Sequence, residues 1–262
     1  MSQAPSPPAA ELLDLAVRAA QHVSADILAA FRNPATHIER KADGTVVTNA
    51  DQDAERKIRA FFSSAKHLYP VMGEEWGDDT RGSRYRWTVD PIDGTLGYTR
   101  GLPNFGSLIA FDDTQAGKAL VGVIHLPAFR ETYSAGRSLG AFCDGIPIRA
   151  SPDRQLSDCL VSVSSLKDFK RAGLEEGYQR LSSAVGLRGN FDCWTHAMAA
   201  RGCLDAVVEF ALNRWDIAPT EVIIEEGGGT CVIRPSRVTP GKFDAAFGNS
   251  QLVAEIIELI GF

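Results

Sequence analysis

The chain has no apolar run of about eighteen residues, the length that a membrane-crossing helix needs. Its opening, MSQAPSPPAA, carries neither the basic start nor the apolar stretch of a secretion signal. Residues 1–10 are therefore expected to be a disordered lead-in to a soluble, cytoplasmic protein. No Cys-x-x-Cys pair occurs. The five cysteines, Cys143, Cys159, Cys193, Cys203 and Cys231, are odd in number and scattered, which argues against a disulfide framework or a zinc site and predicts reduced, mostly buried thiols. Clustered positive charge is missing as well: 27 Lys and Arg against 33 Asp and Glu give a formal charge of -6, so neither nucleic acid nor an anionic membrane is an expected partner. There is no Gly-x-Gly-x-x-Gly loop after the first strand. The run EGGGT follows a presumed helix instead, which disfavours a redox or nucleotide-binding module. His22, His37, His67, His125 and His196 share no spacing, and none is needed as a ligand or base. Internal repeats and low-complexity linkers are absent.

What is present is bulk and pattern. With 262 residues, 44% of them hydrophobic, the chain can bury a full core. From Glu11 to Arg32, the residues Leu12, Ala16, Ala19, Val23, Ile27 and Phe31 recur at helical spacing, and Asn33-Pro34 ends the helix. HIERK reads as a short strand, KADGTVVT as a turn, and Ala50 to Phe62 as a second amphipathic helix. YRWTVD, GSLIAFDD, KALVGVIHLP and ETYSAG then have the look of a meandering sheet. Beyond them the rhythm alternates, with CLVSVSS, DAVVEFA and CVIRP as strands among the helices GLEEGYQRLSSAV, WTHAMAARG, APTEVIIEEGG and SQLVAEIIELIG. The expected seam is GIPIRASPDRQ, near 145–155. Residues 1–262 are thus expected to form a single catalytic unit, with an N-terminal α+β half over 11–150 and a C-terminal α/β half over 151–262.

The stretch WTVDPIDGTLGYTRG carries the chemistry. A strand that ends in Asp90, breaks at Pro91 and restarts as a helix at Gly94-Thr95 exposes Asp90 and Asp93 beside the free N–H groups of a helix start. Acids hold cations at such a place, and helix N-termini hold phosphate. Glu74 and Glu75 follow a short apolar run, Asp216 stands where a presumed strand meets a helix, and Asp51 opens another helix. Each alone is an ordinary cap or solvated acid. Converging, they would repel one another prohibitively without hard cations, and an all-oxygen set without His or Cys selects Mg²⁺, with Mn²⁺ as the alternative. Two or three such ions beside a helix start are equipped to hydrolyse a phosphate ester. A covalent aspartyl mechanism would need Asp-x-Asp-Gly-Thr, and Pro91 stands where its first Asp belongs, which favours attack by activated water.

With GEE (Gly73 to Glu75), DPIDGT (Asp90 to Thr95), WDIAPTEVIIEEGGG (Trp215 to Gly229) and KADGTVVTNAD (Lys41 to Asp51), the sequence resembles the inositol monophosphatase family of lithium-sensitive, Mg²⁺-dependent phosphatases. The resemblance covers nearly the whole chain in order. It implies a layered αβαβα sandwich, shared with the fructose-1,6-bisphosphatase type, usually as a homodimer. By the same resemblance Glu74, Asp90, the Ile92 carbonyl, Asp93 and Asp216 would be metal ligands, and Gly94 and Thr95 would bind phosphate. Thr95 and Asp51 would orient and deprotonate the attacking water, with Glu75 and Lys41 supporting the ligands. The chain departs from the family at Gly97-Tyr98, where Asn-Phe is usual, and at Gly227, where Ala is usual.

The small phosphorylated substrate is written in the segment from Leu187 to Asp216, which resembles the histidinol-phosphatase branch. Phe191-Asp192 stands where that branch has Gly-Asp, and His196 where it often has Tyr. A carboxylate at Asp192 suits a substrate carrying an ammonium group; the competing role is a helix N-cap. Glu209 matches the family's substrate-contacting acid, and Arg188, Asn213 and Arg214 are further candidates to line the pocket. L-Histidinol phosphate is the leading expectation and myo-inositol 1-phosphate or a related sugar phosphate the alternative. A non-catalytic relative would have lost a metal ligand, and none is lost.

Overall fold

The computed structural model describes residues 8–42, 44–66, 68–79 and 82–262. Helix α1 (Ala9–Ala30) forms because Leu12, Ala16, Ala19, Ala20, Val23 and Ile27 fall on one face and are buried. A hairpin of β1 (Ile38–Arg40) and β2 (Val46–Thr48) leads into α2 (Asn49–Ser63), whose start is fixed by a reciprocal capping box between Thr48 and Asp51. The larger sheet collects β3 (Val71–Gly73), β4 (Gly77–Asp78), β5 (Tyr85–Asp93), β6 (Gly106–Asp113), β7 (Lys118–Leu126), β8 (Glu131–Gly136), β9 (Gly140–Cys143) and β10 (Ile146–Pro147). Its order is β10-β9-β8-β7-β6-β5-β3-β4, antiparallel throughout except where β3 runs parallel to β5. The short helix α3 (Thr95–Thr99) follows β5 directly.

The second half begins with β11 (Leu160–Val163), α4 (Leu166–Arg171), α5 (Glu175–Ala184), β12 (Gly186–Gly189) and α6 (Asp192–Ala200). It continues with β13 (Ala206–Leu212), α7 (Arg214–Glu226), β14 (Thr230–Pro235), β15 (Phe243–Gly248) and α8 (Ser250–Ile260). The smaller sheet has the order β12-β11-β13-β15-β14.

Three cores define the layers. Trp87, Val89, Ile109, Phe111, Val121 and Val123 point from the larger sheet into α1 and α2. Their neighbours Leu108, Ala110 and Ile124 point the other way, into α6, α7 and Phe247 of the smaller sheet. Val161, Ala206, Val208 and Ala246 pack the outer face of the smaller sheet on α8, α5 and Phe169 of α4. The chain is therefore an αβαβα sandwich, and β6, buried along its whole length, alternates between two cores.

Several details correct the sequence reading. Of the expected lead-in, residues 1–7 lie outside the described residues, while Ala9 and Ala10 already belong to α1. KADGTVVT is not all turn, since Val46–Thr48 pairs with Ile38–Arg40. FDAAFG, unassigned from sequence, is the interior strand β15. The five cysteines are free, but only Cys159 and Cys193 are buried. Among the described residues no helix is long and apolar enough to cross a membrane.

Candidate active site

Strand β5 is packed on both faces and delivers Asp90 to a fixed place in the interior. There the ladder with β6 slips between Asp90 and Asp93, and the Ile92 N–H turns back to donate to Asp90 Oδ1 at 3.0 Å. Gly94 then takes φ +83°, and a Cβ there would also lie 3.1 Å from Asp192 Oδ2. Only glycine satisfies both the backbone and the neighbour.

Around this turn the acids gather from four elements. Glu74 comes from the end of β3, parallel to β5, and Asp216 from the first turn of α7. Carboxylate oxygens of Glu74, Asp90 and Asp216 all lie within 4.8 Å of one another. Asp93 points toward α6 instead, where its Oδ2 accepts the Cys193 N–H at 2.6 Å. Asp51 is buried; its Oδ2 accepts from the Thr48 backbone N–H (2.9 Å) and hydroxyl (2.6 Å), and its Oδ1 lies 3.0 Å from Thr95 Oγ1. The Thr95 hydroxyl is equally close to the Ile92 carbonyl, at 2.8 Å, so its one proton has two acceptors.

The electrostatics follow from burial. Burial, with Glu74, Asp93 and Asp216 nearby, raises the Asp90 carboxyl well above the usual carboxylate range. Asp93 is raised likewise by burial and by Asp192 and Asp216. Burial and the charge of Glu74 push Asp216 up to about 7, against the stabilising Asn213 N–H bond at 2.7 Å. Asp51 is pushed up to about 6 by burial, in spite of its bonds to Thr48 and Thr95. Glu75 reaches about 7 for the same first reason, although Lys41 holds it down. Lys41 Nζ donates to Glu74 at 2.8 Å and Glu75 at 2.7 Å; burial opposes its charge, but the two carboxylates outweigh that and raise its pKa. Buried, oxygen-only and short of positive charge, this donor set fits a hard divalent cation.

On the far side of Asp93 lies a second group. Asp192 opens α6 at φ +51°, but Phe191 is the N-cap residue and no side chain caps the helix. The competing cap role is thereby excluded. Asp192 Oδ2 instead accepts a long bond from Asn104 Nδ2 at 3.4 Å, and burial followed by the field of Glu209 raises its pKa. Glu209, on β13 and 1% exposed, lies 3.0 Å from His196 Nε2 through Oε2, while its Oε1 has no partner.

Three candidates are placed elsewhere. Arg188 sits on the edge strand β12, donates to the Leu187 carbonyl, and lines a 430 Å³ hollow with Tyr178 and Asn190 that none of these acids enters. Asn213 serves as the N-cap of α7, bonded to Asp216. Arg214 turns away to Asp112 (2.7 Å) and Glu221 (2.9 Å) beside a 660 Å³ hollow, which likewise excludes the acid cluster.

Two residues were missed. His196 shares no spacing with the other histidines. Glu55 is fully buried, its carboxylate accepting from Arg59 Nε (2.8 Å) and the N–H groups of Glu75 (2.7 Å) and Trp76 (3.2 Å). It thereby holds the loop that carries Glu74. A Cβ at Gly73 would stand 2.0 Å from Glu55 Oε1. The available signal was an acid on the stripe of Ala54, Ile58 and Phe62 that α2 buries.

Comparison with known proteins points to one family. A family model described as the inositol monophosphatase family matches residues 9–260. A histidinol-phosphatase of Streptomyces coelicolor is 35% identical over 228 residues, 84% of this chain and 85% of that protein. A fructose-1,6-bisphosphatase/inositol-1-monophosphatase of Thermotoga maritima is 35% identical over 188 residues, 70% of each chain. Among solved structures, an IMPase of Thermotoga maritima superposes with a TM-score of 0.81 at 27% identity, covering 96% of this chain and 97% of that one.

Proposed function

Because the chain belongs to the inositol monophosphatase family, and is with it a phosphoric monoester hydrolase, we propose that it hydrolyses L-histidinol phosphate to L-histidinol and phosphate, with Mg²⁺ as its metal. Glu74, Asp90, Asp93 and Asp216, with the Ile92 carbonyl, would hold the metal. When bound, it supplies the positive charge that offsets these acids and polarises the phosphate ester. The chain's own groups do the rest. Asp51, with a pKa of about 6, takes the proton of the attacking water near neutral pH by way of the Thr95 hydroxyl 3.0 Å away, as the water oxygen bonds to phosphorus and the ester oxygen leaves with its alcohol. The Gly94-Thr95 turn receives the phosphate at the start of α3. Lys41 and Glu55 hold Glu74 and Glu75 in place.

The observation that carries the substrate reading is the pair Asp192 and Glu209, the first half-buried near Asp93 and the second fully buried, and among the described residues neither is paired with a Lys or Arg. An ammonium group on the substrate supplies that match, whereas a sugar hydroxyl supplies none. The name of the Streptomyces relative supports the same reading. Elements on either side of residue 150 contribute acids, so we read the whole chain as one catalytic unit; that it acts as a cytoplasmic dimer is proposed from the family alone. Phosphate release from L-histidinol phosphate and from myo-inositol 1-phosphate, side by side with Mg²⁺, tests the reading. A kcat/KM preference of about a hundredfold for the first, roughly 2.7 kcal/mol, is expected. The reverse preference overturns histidinol phosphate in favour of inositol or sugar phosphates.

A further inference from the structure

A carboxylate as deeply buried as Glu209 needs partners for both oxygens, because each lone oxygen in the interior costs solvation it cannot recover. Oε2 has the His196 ring at 3.0 Å and Oε1 has nothing. His196 cannot move away. Its Nδ1 lies 2.7 Å from Thr220 Oγ1, its ring stacks edge-on against Phe247 at 4.8 Å, and it is 3% exposed. Thr220 sits one turn after Asp216 on α7, so the imidazole ties a carboxylate on β13 to the helix that carries an acid of the metal cluster.

We infer that His196 is a positioning residue that sets substrate specificity: by clamping Glu209 Oε2 it leaves Oε1 as the unpaired acceptor that takes the cationic group of the substrate. The inference rests on the amine-bearing substrate proposed above. Without the clamp the carboxylate can rotate and both oxygens compete for whatever donor arrives. The ring also carries part of the charge balance. Burial disfavours the imidazolium, but Glu209, Asp93 and Asp216 outweigh burial and raise its pKa. A cation at this place lets Glu209 and Asp192 stand close together before substrate enters.

The test compares native protein with His196→Leu, which removes both bonds, and His196→Gln, whose amide can bridge Thr220 and Glu209 without charge. In His196→Leu, kcat/KM for L-histidinol phosphate is expected to fall at least about tenfold more than for 4-nitrophenyl phosphate, chiefly through KM, and His196→Gln should recover most of that difference. In a Glu209→Gln background the His196→Leu change should add little, because the residue it positions has lost its charge. An equal loss on both substrates, no gain from Gln, or a full additive effect in the Glu209→Gln background overturns the inference. Should His196→Leu fail to fold, Thr220→Val removes the other anchor and must shift the substrate ratio in the same direction; an unchanged ratio overturns the inference. A native enzyme that prefers inositol 1-phosphate overturns the substrate reading as well. One that prefers histidinol phosphate with an unaltered ratio in the variants overturns only the role of His196.

Discussion

Helix α7 separates two groups of buried and half-buried acids that differ in one respect. On one side Asp112 and Glu221 meet Arg214 at 2.7 and 2.9 Å, with Arg86 at 3.8 Å from Asp112 and Arg137 at 3.5 Å from Glu221. Two residues on from Arg214, Asp216 joins Asp90 and Glu74, where among the described residues the one Lys or Arg ion pair is Lys41 with Glu74, and Lys242 acts on Asp216 only through its field. Acids neutralised by the chain's own guanidinium groups hold layers together. Acids left short of positive charge suit the divalent cation proposed above, and the cost of holding them together shows in the raised pKa values of Asp90 and Asp216.

The comparison can be broken most sharply at its two ends. Asp216→Asn should lower turnover by at least about a thousandfold, roughly 4 kcal/mol, while thermal unfolding of the metal-free protein stays level or improves. Turnover within a factor of ten of native would end the two-sided picture. Arg214→Met, on the other side, should cost about 3–5 kcal/mol of stability in urea unfolding, because Asp112 and Glu221 lose their shared cation. A loss below about 1 kcal/mol would mean that this network is held by its other arginines.

A smaller effect comes from pH. Asp216 and Glu75 have folded-state pKa values of about 7 against ordinary values of 3.8 and 4.5. Between those values the folded state binds more protons than the unfolded chain, so metal-free stability falls as pH rises from about 4 through about 7. Metal-free stability is expected to fall steadily across that window, and added Mg²⁺ should flatten the slope by replacing the protons. Melting temperatures of the metal-free protein that rise between about pH 5 and about pH 8 would contradict the assignment. The smallest effect tests the selective pair: Asp192→Ala should raise KM for L-histidinol phosphate about tenfold and that for inositol 1-phosphate much less. Equal shifts would leave Asp192 without a substrate role.

How much of this could be read from the letters depended on whether a signal was local. Asp90 to Thr95 was legible because an apolar strand, a proline and a glycine follow one another in eight or so positions, each with its own backbone consequence. The strand β15 was not, because FDAAFG is built around Ala245 and Ala246, small residues of low strand propensity that pay off only inside the sheet. Glu55 looked like any acid on an amphipathic helix. Its three donors come from Arg59 and from a loop some twenty residues away, contacts with no imprint on spacing. His196 was dismissed for the same reason, since its partners lie 13 and 24 residues on. Arg188 shows the converse error: it is close to Asp192 in sequence, but the edge strand carries it to another hollow.

Glu55 and Gly73 fill one another's space, and Glu55 is pinned by Arg59, Glu75 and Trp76, so it has no room to yield. A mutation that enlarges position 73 must therefore wait for a shorter side chain at 55, and that change in turn releases the loop bearing Glu74. The path between the two states is therefore ordered, the change at 55 first and the change at 73 second. Across a set of descendants the two positions should be inherited together, as a single two-letter character.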